Sequence, residues 1–195
     1  MIGHFPSLKM KRMVAFESLI EQDYLYVLDY EREVDSYEEQ PLIIEYIWQG
    51  KIRHYTPDFH AVRNQHHELV ECKPQSRLHT EENQRKFVAA RQWCQESGWN
   101  FSIVTDGALR NGPRLANIKI LTRYARLAID PNSHQRALVY LQQIPSPTLA
   151  ETAHVLNPTD PRQGIATLLC LAFHHQINLS LITATISPET RLTLP

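Results

Sequence analysis

The chain has 195 residues, 43% of them hydrophobic and 21% charged, with a formal net charge of −1, and this length allows one well-formed core or one domain with a small second unit. Its three cysteines, Cys72, Cys94 and Cys170, form no disulfide framework, the first residues lack an apolar signal segment, and the longest nearly apolar run, residues 165–173, is too short to span a bilayer. These features exclude a disulfide scaffold and a membrane-spanning protein, and they predict a protein of the reducing cytoplasm.

The first part of the chain predicts a helix followed by three strands. Apolar residues from Phe16 onward recur at helical spacing, with acidic residues on the outer face. Three runs rich in β-forming residues follow, and Gln49-Gly50 provides a turn between the first two. We therefore predict three consecutive antiparallel strands, at residues 42–49, 51–62 and 67–73.

A helix, a strand and another helix are predicted next. Thr80 and Gly98 mark the two ends of the second helix, because threonine caps helix N-termini and glycine follows their C-termini. The run FSIVTD, residues 101–106, predicts a fourth strand that is buried on both faces. Residues 113–128 predict a third helix with one apolar face.

The charges are unevenly distributed along the chain. Residues 17–45 hold ten acids and one base, whereas residues 73–126 hold ten Lys and Arg against four acids. The basic stretch includes one face of the predicted third helix, with Lys119, Arg123 and Arg126. Two interpretations remain open for that face, a surface for DNA phosphates and an ordinary solvated helix face.

A change in charge density at Asp130-Pro131 predicts a domain boundary. Residues 1–130 hold 17 bases and 18 acids, and residues 131–195 hold three of each. The second part predicts three helices and two short strands, an order similar to that of a winged helix. Its last helix, residues 162–175, has one arginine, and helices that recognise DNA bases usually carry more such groups. Binding of a protein partner is therefore the simpler interpretation of this helix.

The most informative feature is an acid after a proline, followed by an E-x-K run. Asp58 follows Pro57, and thirteen residues later Glu71 and Lys73 share one face of a predicted strand. If the two strands are neighbours, Asp58 and Glu71 repel each other unless a cation lies between them. Oxygen donors suit Mg²⁺, with Mn²⁺ as a substitute, and the main-chain carbonyl of Cys72 is a natural further ligand. Lys73 then lies where it can orient the attacking water.

This pattern resembles the PD-(D/E)xK nuclease motif, written here as Pro57-Asp58 and Glu71-Cys72-Lys73. The order of hairpin, E-x-K strand, capped helix and further strand is the order that such nucleases use. Across roughly residues 14–128, the chain also resembles the TnsA family, the endonuclease subunit of heteromeric cut-and-paste transposases. The segments that carry this resemblance, in order, are VAFESLIEQDYLYVLDYE, SYEEQPLIIEY, YTPDF, VECKP and FSIVTD.

The resemblance implies a restriction-endonuclease-like mixed sheet flanked by helices over residues 1–130, with the winged-helix-like α+β domain after it. It also implies that Glu17, on the first helix, adds an acid to the metal site, although from the residues alone Glu21 could serve as well. Related nucleases often place a residue that touches the scissile phosphate after the E-x-K strand. Lys86 matches that position. The alternative interpretation is that Lys86 simply belongs to an exposed polar first turn of the helix.

By resemblance, the chain is expected to be a Mg²⁺-dependent endonuclease that cuts the non-transferred strands at transposon ends in double-stranded DNA. A separate transposase subunit would cut and join the other strands, and an AAA-type ATPase regulator would be a second partner. Two alternatives stay open, because fold and motif do not set the substrate. One is a stand-alone repair or junction-cleaving nuclease, and the other is a non-catalytic DNA-binding assembly subunit.

Overall fold

The structure, a computed structural model, describes residues 2–195 and divides into two compact units, one ending at Asn111 and the other beginning at Gly112. Within the described range, no helix is both long and apolar enough to cross a bilayer. The first unit contains β1 (Gly3–Pro6), β2 (Met13–Phe16), α1 (Leu19–Tyr30), β3 (Val34–Glu39), β4 (Ile44–Trp48), β5 (Lys51–Tyr55), β6 (Phe59–Arg63), β7 (His66–Lys73), α2 (Glu81–Ser97), β8 (Asn100–Thr105) and the one-turn α3 (Asp106–Leu109).

A mixed four-stranded sheet forms the centre of the first unit. Its strand order is β3-β6-β7-β8, with β7 and β8 parallel and the other neighbours antiparallel. Two small antiparallel pairs, β1 with β2 and β4 with β5, stand beside it. The predicted mixed sheet flanked by helices is therefore confirmed.

The two long helices pack on opposite faces of this sheet. In α1, which Ser18 caps, the ring of Tyr24 contacts Phe59 of β6. In α2, Ala90 and Cys94 pack with Leu69 of β7. Phe59 pairs with Val70, and neighbouring residues of a strand point to opposite faces, so the two helices cover different sides. The predicted caps of α2 are also confirmed, since Thr80 accepts from the Asn83 N–H and Gly98 adopts the left-handed conformation.

The prediction of three consecutive antiparallel strands was partly wrong. β4 pairs with β5, and β6 pairs with β7, but the predicted strand 51–62 is interrupted between Tyr55 and Phe59. After the interruption β6 pairs with β3, and not with β4 as the prediction implied. Pro57 lies in this gap and has no N–H to donate to a ladder, which agrees with a break in pairing at that point.

The fourth predicted strand exists as β8, but it is not buried on both faces. It is an edge strand parallel to β7, and its residues are exposed or only partly buried. An apolar run such as FSIVTD is typical of a central strand, and sequence alone does not reveal that no further strand pairs beyond it.

The second unit is mainly helical, and its three last helices were predicted. Asp130, Thr148 and Asp160 accept from main-chain N–H groups at their N-termini, which fixes where they begin. A bridge joins Thr148 to Arg191. The elements are α4 (Arg114–Thr122), α5 (Pro131–Gln143), α6 (Leu149–Leu156), α7 (Pro161–Phe173), β9 (Asn178–Leu179) and β10 (Leu192–Thr193).

The division into units lies earlier in the chain than the charge change at Asp130 predicted. The helix α4 belongs to the second unit and packs against α7. Its fully buried Asn117 donates to the carbonyl oxygens of Leu181 and Ala184, at 2.9 and 2.8 Å, and accepts from the Ile186 N–H at 2.9 Å. Composition did not reveal this boundary because α4 is basic on its outer face yet bonded to a segment about 65 residues later.

We expect Asn117→Ala to destabilise the second unit strongly. The substitution leaves two carbonyls and one N–H without their partner, and each unsatisfied buried group costs about 1–3 kcal/mol. We expect a loss of at least ~2 kcal/mol in the free energy of unfolding, measured by denaturant titration of the full chain. The exposed Asn178→Ala, which removes one long bond of 3.4 Å to Leu194, is the matched control. Equal losses in both variants would contradict this role of Asn117.

Candidate active site

The turn before β6 and the end of β7 bring the predicted acids together. Phe59 and Val70 are the last directly paired residues of the two strands, so Asp58 lies next in register to Glu71. Pro57 has no N–H for a further ladder bond, so it ends the pairing of β6 with β7 on this side. Asp58 is therefore not part of a continuous strand. Two carboxylates thus meet at one end of the central sheet, as the sequence predicted.

Each of these acids is held by a short hydrogen bond. Asp58 Oδ2 accepts from the main-chain N–H of Cys72 at 2.6 Å. Glu71, which is 2% exposed, accepts from the Tyr55 hydroxyl at Oε2 over 2.6 Å and forms an ion pair with Lys73 Nζ at Oε1 over 2.5 Å. The structure therefore joins Asp58, Glu71 and Lys73 in one cluster. Sequence reasoning missed Tyr55, because its hydroxyl reaches Glu71 across two strands that are not paired in the sheet.

The cluster is short of positive charge. Burial, followed by the nearby carboxylates of Glu71 and Glu21, raises the pKa of Asp58 to about 8, while the Cys72 N–H and Lys73 act in the opposite direction. Burial is the largest influence on Lys73 and lowers its pKa, but the charge and hydrogen bond of Glu71 and the charge of Asp58 contribute to a larger combined rise, so Lys73 stays protonated. One lysine does not compensate for several acids here, and a cation added beside Asp58 would relieve their repulsion.

The two candidate acids of the first helix lie in different environments. Glu17 is exposed, and its Oε1 accepts from Gln40 Nε2 at 3.1 Å. Glu21 is buried, and its charge raises the pKa of both Asp58 and Cys72. Because Ser18 is the N-cap, Glu17 precedes the helix, whereas Glu21 occupies its first turn and accepts from the Glu17 N–H at 2.7 Å. Of the two acids, Glu21 therefore lies within electrostatic reach of the cluster.

The predicted DNA-contacting residues fall in two places. Lys86 of α2 forms an ion pair of 2.6 Å with Glu82, whose pKa is lowered first by Lys86 and also by Lys73 and Arg53. Lys86 therefore stands in the same electrostatic neighbourhood as Lys73. The other three belong to the second unit, where Lys119 lies on α4 but Arg123 and Arg126 follow its last residue, Thr122, so the predicted common helix face is wrong.

The donor set fits a hard divalent cation better than it fits zinc. Among residues 2–195, no three side chains of His, Cys, Asp or Glu stand ready as a metal-binding cluster. Mg²⁺ keeps several waters and is commonly held by only one or two carboxylates with substrate oxygens, so Asp58 and Glu71 are sufficient protein donors for it. Cys72, the residue between Glu71 and Lys73, donates its main-chain N–H to Asp58. Its main-chain carbonyl stays a predicted metal ligand.

A mixed sheet with helices on both faces, bearing two acids and a lysine at one end of its central strands, defines a nuclease-like α/β domain. Residues 31–106 match the family model described as TnsA-like endonuclease N terminal. The chain therefore carries a TnsA-like endonuclease N-terminal domain, and the matched range contains Asp58, Glu71 and Lys73 but neither helix acid nor the second unit. No curated protein matches the chain.

Proposed function

We propose that this protein is a Mg²⁺-dependent DNA endonuclease that acts as the cleaving subunit of a cut-and-paste transposase. The observation that carries the proposal is the cluster of Asp58, Glu71 and Lys73 inside the segment that matches a TnsA-like endonuclease domain. Its substrate is double-stranded DNA at transposon ends, where it cuts the non-transferred strands. A transposase subunit completes the reaction, and an AAA-type ATPase regulates the assembly.

The roles of the residues follow from their surroundings. Asp58 and Glu71 hold the ion, and the Cys72 carbonyl is a further oxygen donor. We assign the third acid of the site to Glu21 in preference to Glu17. When bound, Mg²⁺ supplies charge stabilisation to the phosphate oxygens and lowers the pKa of water. Lys73, protonated and fixed by Glu71, donates hydrogen bonds that orient the attacking water or the scissile phosphate.

Three basic residues near this end of the first unit support a phosphate-binding role. The pKa of Glu82 is lowered by the charges of Lys86, Lys73 and Arg53, so three cations lie near this one carboxylate. Phosphate contacts of this kind position a DNA backbone without reading its sequence. On the second unit, the exposed Arg123 and Arg126 with Lys119 provide a further candidate face for phosphates.

We propose further that residues from Asp130 onward form a winged-helix-like module for docking a protein partner. Its order of elements supports the proposal: helix α5, the bridge at Thr148, helices α6 and α7, then β9 and β10. α7 has one arginine and is buried over most of its length, so it presents few groups to DNA bases.

A strand-specific cleavage assay tests the function. Duplex DNA carrying a transposon end, labelled on each strand in turn, is incubated with the full chain, Mg²⁺ and the candidate transposase. We expect cuts on the non-transferred strand only, dependent on Mg²⁺ and on the transposase. Cutting of unrelated duplexes or junctions by the chain alone indicates the stand-alone nuclease, and DNA binding without cutting under all conditions indicates the non-catalytic subunit.

A further inference from the structure

The first unit contains two buried tyrosines whose hydroxyls each bind a buried carboxylate. Tyr55 donates to Glu71 Oε2 at 2.6 Å, and Tyr37 donates to Asp29 Oδ1 at 2.9 Å. Both rings are almost fully buried, at 4% and 2% exposed. Burial, and next the neighbouring carboxylate, raises the pKa of each hydroxyl, so both remain protonated donors.

The carboxylates at the other end of these bonds differ in what else binds them. Asp29 also accepts from the Ser7 hydroxyl at 2.6 Å and from the N–H groups of Leu8 and Lys9. The Asp29 carboxylate is therefore fully engaged by donors of the protein itself, and its hydrogen bonds connect α1 to the segment after β1. Tyr37 is one of four donors there, so its hydroxyl contributes to folding only.

Among residues 2–195, Glu71 has two such partners, and they fix its two oxygens separately. Tyr55 holds Oε2, while Lys73 holds Oε1. The Tyr55 ring cannot swing away, because it is packed in a cluster with Ile44, Leu69 and Ala90. The hydroxyl therefore holds the Glu71 carboxylate in a single orientation, with unused lone pairs on both oxygens.

We propose that Tyr55 is a positioning residue of the active site, which orients Glu71 for binding of the divalent cation. This proposal rests on the proposed function, because it assumes that Glu71 is a ligand. Groups that hydrogen-bond a ligating carboxylate fix its orientation, and their removal commonly weakens metal affinity about 10–100-fold. Tyr55 lies outside the E-x-K run and comes from β5, so the hairpin β4–β5 reaches the carboxylate of Glu71 through this hydroxyl.

Binding of Mn²⁺ to the full chain, measured by calorimetry without DNA, tests the proposal. Tyr55→Phe removes only the hydroxyl at Glu71, and Tyr37→Phe is the matched control at Asp29. We expect Tyr55→Phe to weaken Mn²⁺ binding about tenfold, and Tyr37→Phe to leave it unchanged. Thermal melting without metal confirms that both variants fold, and a lower Tm is expected for Tyr37→Phe.

Three results overturn the proposal, and they are distinguishable. If folded Tyr55→Phe binds Mn²⁺ with the affinity of the wild type, Tyr55 does not position Glu71, although the proposed function stands. If the wild type itself binds no Mn²⁺, the metal site of the proposed function fails together with the role of Tyr55. An equal loss of Mn²⁺ affinity in Tyr37→Phe indicates a general loss of packing, and it also overturns the proposal.

Discussion

We expect Asp58→Asn to abolish metal-dependent cleavage and, in metal-free buffer, to make the protein more stable. Asparagine keeps an oxygen that can accept the Cys72 N–H, so the local hydrogen bond is preserved. It removes the charge that binds the cation, whose stabilisation of the transition state is several kcal/mol, so cleavage should fall at least ~10³-fold. Cleavage of labelled duplex in Mg²⁺ is the measurement.

The gain in stability should depend on pH. The pKa of Asp58 is raised from 3.8 to about 8 in the folded protein, so between these values the folded state holds a proton that the unfolded chain has released. This contribution favours the folded state at acidic pH and is lost as the pH rises to about 8. Asp58→Asn should therefore raise the free energy of unfolding by at least ~1 kcal/mol above that pH, and by little near the ordinary value of 3.8.

Asp29→Asn is the matched control for this experiment. Asp29 is buried, as Glu71 is, while Asp58 is partly buried, and Asp29 accepts from four donors, so replacing one of its oxygens by an amide breaks hydrogen bonds. We expect it to destabilise the protein at both pH values. If Asp58→Asn is also destabilising above pH 8, the Asp58 carboxylate is structural, and the explanation of the cluster as a cation site is wrong.

Local signals in the sequence predicted most elements and the centre of the site. Thr80 and Gly98 gave the ends of α2, because caps act within four residues of the chain. Asp58, Glu71 and Lys73 were predictable for a similar reason. Two antiparallel neighbours joined by a short turn must bring such residues together.

The parts that were not predictable depend on contacts between distant segments. Strand β6 is separate from β5 and pairs with β3, β8 lies at the edge of the sheet, and Asn117 binds a segment near residue 184. None of these three features follows from the local sequence pattern. Tyr55 belongs to the same class, since only the packing of the hairpin on α2 brings its hydroxyl to Glu71. The choice between Glu17 and Glu21 depended on where α1 begins, because the N-cap at Ser18 leaves Glu17 before the helix and Glu21 in its first turn.

That choice gives the last prediction, which compares Glu21→Gln with Glu17→Gln. Glu21 is buried and its charge acts on Asp58, whereas Glu17 is exposed and bonded to Gln40. Glutamine at 21 keeps an oxygen for the Glu17 N–H, so the start of α1 should survive. We expect Glu21→Gln to lower cleavage by about 10²-fold or more, as loss of one ligand to a catalytic ion should, and Glu17→Gln to leave it nearly unchanged.

Mn²⁺ calorimetry on the same two variants separates a role in metal binding from an effect of charge on Asp58. Loss of both Mn²⁺ affinity and cleavage in Glu21→Gln means that the acid in the first turn of α1 completes the cation site. Loss of cleavage with unchanged Mn²⁺ affinity means that Glu21 acts on Asp58 only through its charge. If Glu17→Gln is the inactive variant, the assignment implied by the family resemblance is correct. Gln40 would then connect Glu17 to the site, because its side chain binds Glu17 Oε1 and its main-chain N–H donates to the Asp58 carbonyl oxygen at 2.9 Å.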